Sequence, residues 1–134
     1  LNAEILKMRL KKLDKVNKMR RKNVQIYREN LNKKFVYIPH ESNEEINSHV
    51  MFLVQAEKRD KLQKYLKKNN IQSFIYYGTP LHLHAATKYL GYKKGSFPNS
   101  EKLASKVLAL PHHQYLSKKQ ILFVCKKINK FYGL

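Results

Sequence analysis

Over the first 31 residues the apolar side chains fall on a single stripe: Leu6, Leu10, Leu13, Val24, Tyr27 and Leu31 occupy a heptad-like series interrupted only by Asn17 and Arg20. That spacing predicts one amphipathic helix. A helix of about 30 residues runs some 45 Å at 1.5 Å per residue, more than the sheet of so short a chain can cover. Part of its apolar face is therefore expected to pack on something outside the chain. No Ser, Thr, Asp or Pro start signal precedes the pattern and residue 1 is leucine, so the natural chain is expected to continue upstream.

The rest reads as short alternating elements. Residues 32–48 are polar and broken by Pro39, a loop with a short extended piece at Phe35 to Ile38. HVMFLVQA, residues 49–56, is an apolar run of strand length, expected to be covered on both faces. KRDKLQKYLKKNN predicts a helix with Leu62, Tyr65 and Leu66 inward and Asn69 and Asn70 as left-handed stops. IQSFIYY, residues 71–77, predicts a second strand, making a β-α-β unit if the two strands pair. Pro98 suits the first turn of a helix whose buried side is Leu103, Ala104, Val107 and Leu108, with a very short strand at LALP. Ser117 to Gln120 is a capping box that opens a last helix with Ile121, Val124, Cys125, Ile128 and Phe131 on one face. The fold class is α+β in two layers.

Lysines and arginines number 28 against 9 acidic residues, a net charge of +19. Such a balance ordinarily points to a polyanion partner, nucleic acid or an anionic membrane surface. Its distribution argues otherwise, because 23 lysines and 5 arginines spread over nearly every helical stretch, whereas phosphate and base readout favours clustered arginine. A stand-alone basic nucleic-acid-binding module is thus the alternative reading, and nucleic acid is not the expected partner. No apolar run reaches the roughly 18 residues of a membrane span, and nothing resembles a signal peptide. The single Cys125 reads as a buried thiol in a reducing cytoplasm.

No glycine precedes Gly78, which excludes a phosphate-cradling P-loop and a dinucleotide fingerprint. Only two aspartates occur, both in lysine-rich helical surfaces, so a magnesium site is not expected. His82, His84, His112 and His113 are candidate zinc ligands by type, but HLH and HH set neighbouring side chains apart, and no metal is expected. What stands out is IYYGTPLHLHAATKYLGY, residues 75–92, with one lysine, two glycines and several tyrosines and histidines. Gly78 and Pro80 force an irregular turn directly after a strand, where binding groups are commonly displayed. Tyr76, Tyr77 and His82 offer hydroxyl and imidazole groups suited to a polyhydroxylated or phosphorylated ligand. Spacing alone leaves ligand binding and loop packing both open.

LNAEILKMRLKKLDKVNKMRR, then SHVMFLV, then RDKLQKYLKKNNIQSFIYYGTPLHLHAATKYLGYKKGSFPNSEKLASKVLALP resemble, in order and spacing, the C-terminal part of the DegT/DnrJ/EryC1/StrS family, pyridoxal-phosphate-dependent aminotransferases acting on keto-sugar nucleotides. Ala3 to Asp14 follows the linking-helix motif AAIL-x-x-KL-x-x-LD with Glu4 in place of its second alanine. Tyr77 falls on the tyrosine of IHYPIPLH, and Pro80, Leu81 and His82 on its PLH, while Tyr76 replaces the usual histidine and Gly78 a proline. The resemblance implies the small C-terminal domain of a fold-type I transferase, with a linking helix over 1–34 and a small α+β domain over 35–134. It implies His82, Tyr77 and Tyr76 as substrate-binding residues, and no catalytic, cofactor-binding or metal residue in this chain. Pyridoxal phosphate is expected on an N-terminal domain absent here, leaving this segment inactive alone. The implied partners are glutamate, a nucleotide-linked keto-sugar and a second subunit in a cytoplasmic homodimer serving surface-polysaccharide, lipopolysaccharide or deoxysugar synthesis. A catalytically inactive paralogue is the other alternative.

Overall fold

The computed structural model of the chain describes residues 1–42 and 44–134. Its helices are α1 (Asn2–Leu10), α2 (Leu13–Asn30), α3 (Arg59–Lys68), α4 (Pro98–Lys106) and α5 (Lys118–Phe131); its strands are β1 (Val36–Tyr37), β2 (Leu53–Ala56) and β3 (Val107–Ala109). Among the described residues no helix is long and apolar enough to cross a membrane.

The expected single opening helix is broken at Lys11 and Lys12. The Lys11 amide reaches the Lys7 carbonyl only at 3.4 Å, the Lys12 amide turns to Arg9, three residues back, and regular bonding resumes from Val16 to Lys12. Neither proline nor glycine causes the break. Every residue from Leu1 to Lys15 is exposed, so α1 has only local propensity to keep it in line with α2, and so short a helix is marginal without packing. Along the apolar stripe Leu6, Leu10 and Leu13 are exposed in this chain, whereas Val24, Tyr27 and Leu31 are buried.

The buried part of α2 packs on Ile121, Val124, Cys125 and Ile128 of α5. Asn129 locks the two helices together, its amide donating to the Asn30 carbonyl at 2.8 Å and its oxygen accepting from the Asn32 amide at 3.3 Å. Burial pushes the Cys125 thiol up to about 12, so it stays protonated in the core. One of the two polar interruptions of the stripe, Arg20, also acquires a partner. One face of α2 holds the segment after β3 by three side chains: the Tyr27 hydroxyl donates to the Pro111 carbonyl at 2.8 Å, Asn23 donates to the His113 carbonyl at 2.9 Å, and Arg20 reaches the Gln114 side chain at 3.5 Å.

At the start of α5 the capping box is formed as read, with the Gln120 amide donating to Ser117 Oγ at 3.3 Å and the Gln120 side chain accepting from the Ser117 amide at 2.9 Å. Ser117→Ala should cost about 1 kcal/mol, read as a lowered urea midpoint at unchanged slope.

The sheet is antiparallel throughout, in the order β1-β2-β3, with Val36 opposite Ala56 and Val54 opposite Leu108. The short extended piece expected at Phe35 to Ile38 is β1. Three other strand expectations change. The run 49–56 becomes a strand only from Leu53, because His49 takes a left-handed φ of 45° and turns the chain. The strand covered throughout is β3, all three of whose residues are buried, while β2 alternates between buried Val54 and Ala56 and half-buried Leu53 and Gln55. Residues 71–77 form a single antiparallel bridge, Phe74 to Ala109, with bonds of 3.1 and 2.8 Å. No parallel β-α-β unit results, since VLAL takes the position between β2 and the 71–77 segment and separates them.

Helix α3 buries Leu62 and Leu66 and stops with Asn70 left-handed at φ 59°, whereas Asn69, expected left-handed too, has φ −99°. Its Arg59 is buried and spans two elements, donating to the Val107 carbonyl at 2.8 Å while its Nε pairs with Asp60 at 2.7 Å. Helix α4 starts on Pro98 and buries Ala104, but Leu103, expected inward, is exposed on its other side.

Candidate functional site

The chain leaves the sheet at Phe74 and does not contribute another buried residue until Ala104 apart from half-buried positions. This excursion is a surface structure built from local bonds. Gly78 opens it: a Cβ there would lie 2.9 Å from Ile75 Cγ2, so a larger residue would have to displace the Ile75 side chain or the turn. Pro80 precedes a 3-10 turn at Leu81–Leu83, and a second runs from Ala85 to Leu90 and ends on Gly91 at φ 74°. The Thr87 hydroxyl donates to the carbonyls of Leu81 and His84, and the His84 ring bonds the Thr79 carbonyl at 3.1 Å.

Between this excursion and α4 lies a cleft of about 620 Å³, lined by Tyr76, Tyr77, Thr79, Leu81, Ser100 and Leu103 among others. Its size suits a ligand of drug-like or nucleotide dimensions. Tyr76 is 52% exposed and Tyr77 61% exposed, so neither ring is packed into a core within this chain. The exposure of Leu103 is explained by the same cleft, whose apolar wall it forms. A larger hollow of about 730 Å³ runs along α3 past Gln63, Lys64 and Lys67; its polar lining is mostly flexible solvated side chains, without the converging rings of the smaller cleft.

His82 is placed differently. It does not line the cleft, and its side chain is only 8% exposed. Its Nε2 lies 3.0 Å from Glu101 Oε1, and its ring packs edge-on against Phe97 at 4.9 Å between centroids. The same carboxylate oxygen accepts from the Gly95 amide at 2.7 Å and, at 3.5 Å, from the Phe97 amide. These donors hold the Glu101 carboxyl below the usual carboxylate range, the Gly95 amide first and the His82 ring next among them. Of the three residues singled out in the sequence, the structure brings Tyr76 and Tyr77 together at the cleft and draws His82 away onto α4.

Tyr76 is also shared with an adjoining cavity of about 300 Å³, walled by Met51, Phe52, Phe74, His112 and His113. His112, considered in the sequence only as a metal ligand, is a polar group of this neighbouring space. Neither of its ring nitrogens, both buried, finds a hydrogen-bond partner among the described residues. Burial first, then the charges of His49 and Arg20, push its pKa down to about 4; the nearby His49 carbonyl pulls the other way without making a hydrogen bond of normal length and angle. His49 itself, bonded to Glu41 at 3.2 Å, is also held below its ordinary value, chiefly by burial. No group of three His, Cys, Asp or Glu side chains converges among the described residues.

A depressed histidine binds its proton in the unfolded chain before the folded one. Stability should therefore be complete above the ordinary value of about 6.5 and fall as pH drops toward about 4, by on the order of 2 kcal/mol for His112 once its partial exposure is allowed for. His112→Leu should shrink this acid loss and raise stability at neutral pH by removing two unpaired nitrogens. Urea titrations at pH 5 and pH 8 check it: equal pH dependence in both proteins would contradict the assignment.

The sequence pattern of the DegT/DnrJ/EryC1/StrS aminotransferase family matches residues 1–129. Over 98% of its length the chain is 35% identical to a pleiotropic regulatory protein of Geobacillus stearothermophilus, of which it covers 36%. It is 31% identical, with the same two coverages, to dTDP-3-amino-3,6-dideoxy-alpha-D-galactopyranose transaminase of Aneurinibacillus thermoaerophilus. Among solved structures, a DegT DnrJ EryC1 StrS aminotransferase from Brucella abortus superposes with a TM-score of 0.83 at 33% identity, over 93% of this chain and 33% of that one. S. venezuelae DesV superposes with a TM-score of 0.90 at 27% identity, over 97% and 35%. The chain spans roughly a third of the length of these relatives.

Proposed function

Because the chain belongs to the DegT/DnrJ/EryC1/StrS aminotransferase family, we propose that it forms the C-terminal portion of a sugar aminotransferase, which moves an amino group from glutamate to the ketone carbon of a nucleotide-linked keto-sugar. In this reading residues 1–34 link the small domain, residues 35–134, to a larger portion outside the chain, and the whole works as a cytoplasmic homodimer in surface-polysaccharide, lipopolysaccharide or deoxysugar synthesis. Two features support it: relatives that include a dTDP-sugar transaminase, and a cleft fronted by two exposed tyrosines.

Pyridoxal phosphate requires an amine to anchor it and an acid against its ring nitrogen. The cleft wall in this chain contains neither lysine nor carboxylate, so these residues do not fit the reactive end of the cofactor, which the reading assigns to the portion outside the chain. What this chain contributes is recognition. The Tyr76 and Tyr77 hydroxyls donate to and accept from sugar hydroxyls or phosphate oxygens, and Leu81 and Leu103 exclude water beside them.

The test uses the protein that carries this chain, supplied with pyridoxal phosphate, glutamate and dTDP- or UDP-linked keto-sugars. Formation of 2-oxoglutarate in step with amino-sugar nucleotide is the expected result. Glutamate turnover indifferent to the sugar nucleotide, or none at all, overturns the reading.

A further inference from the structure

Between Tyr76 and Leu103 no residue as a whole is buried, so few apolar contacts anchor this stretch to the core. Most of its hydrogen bonds join it to itself, as at Thr87 to Leu81 and Lys93 to Ser96. Glu101 is different. It stands in the first turns of α4, a helix anchored in the core through Ala104, and one oxygen gathers donors from both ends of the excursion: His82, just past Pro80, and Gly95, at φ 93° on the return. Phe97 completes the knot, edge-on to His82 on one side and to Tyr92 on the other, both at 4.9 Å.

We propose that Glu101 is a positioning residue for the cleft, tying both ends of the 78–97 excursion to α4 through His82 and Gly95, and that His82 acts through this tie without touching substrate. The inference rests on the reading of the Tyr76 and Tyr77 cleft as the sugar-nucleotide site. The reason is geometric. The backbone that carries Tyr77 enters the excursion five residues before His82, and Leu81, on the cleft wall, is its immediate neighbour. A side chain with 8% exposure and its Nε2 committed to a carboxylate has little surface left for a ligand. Releasing it frees the mouth of the cleft and leaves the core untouched.

Two measurements on the full-length protein separate this from alternatives. Without any ligand, backbone hydrogen exchange over residues 81–97 should quicken by about tenfold or more in Glu101→Ala and less in Glu101→Gln, which keeps an acceptor oxygen, as expected for losing a charge-assisted hydrogen bond. Exchange in β3 and α5 should not change. In turnover assays Glu101→Ala should raise KM for the sugar nucleotide by about tenfold with kcat nearly kept, and His82→Ala should do the same. The double variant should be no worse than either single one, because both remove one device. Unchanged exchange over 81–97 in Glu101→Ala overturns the tie. Additive losses in the double variant overturn the claim that His82 acts only through Glu101. If the wild-type protein turns over no sugar nucleotide, the functional reading fails, while the exchange experiment still decides whether Glu101 holds the excursion. Should Glu101→Ala not fold, the tie is no local device and the proposal is wrong unless Glu101→Gln folds and shows the exchange effect.

Discussion

Leu108→Ala should lower the free energy of unfolding by about 3 kcal/mol, the typical cost of deleting a fully buried leucine side chain from a core that cannot collapse around the gap. Leu108 has no exposed surface and lies opposite Val54 at the centre of the sheet. Its strand is flanked by β2 on one edge and bridged to Phe74 on the other, which leaves the surrounding backbone little freedom to close a cavity. Leu103→Ala, five residues earlier on α4, should cost less than about 1 kcal/mol, since nearly half of that residue is already exposed at the cleft. Urea denaturation of both variants checks the contrast. Equal losses would mean that Leu103 belongs to the core and that the cleft is closed in solution.

That pair also shows where reading the sequence succeeds and where it stops. Signals contained within one turn of chain were legible: Pro98 at the start of α4, the Ser117 and Gln120 capping box, the left-handed Asn70 after α3, and the inward face of α5. Each depends on neighbours three or four residues away. Pairing does not. HVMFLVQA reads as one strand, yet half of it turns off at His49, where a left-handed residue meets Glu41, eight residues earlier on the same connection between β1 and β2. IQSFIYY reads as a strand equal to it, yet β3 occupies the middle of the sheet and leaves Phe74 a single bridge. Leu103 and Leu108 look alike in sequence, and only the placement of the excursion over α4 distinguishes them. The opening helix likewise shows a continuous stripe, but nothing in this chain packs on its first half, and it breaks at Lys11 and Lys12. The same limit applied to the site. Tyr76 and Tyr77 stood out as polar rings after an apolar run, whereas His82 looked equivalent to them until its partner, Glu101, 19 residues on, was in place.

Removing the two tyrosine rings should separate function from stability more sharply than any other change in the chain. Tyr76 and Tyr77 expose more than half of their surfaces in this chain, and neither hydroxyl is hydrogen-bonded among the described residues, in contrast with the Tyr27 hydroxyl on Pro111. Their replacement therefore removes little packing: Tyr77→Phe and Tyr76→Phe should each change stability by no more than about 0.5 kcal/mol. In the complete enzyme each should lower kcat/KM for the sugar nucleotide by about tenfold to a hundredfold, because a site arranged to bond hydroxyls or phosphate oxygens loses that much when a partner is left unpaired. The phenylalanine variants are the informative ones, since they keep the ring that shields the cleft from water and delete only the hydroxyl. The measurement is steady-state kinetics on both variants beside their thermal midpoints. Wild-type kinetics in both would return the rings to a shielding role with no directional contact. A fall in midpoint of several degrees in both would mean that the hydroxyls are buried against another part of the protein and serve its assembly in place of its substrate.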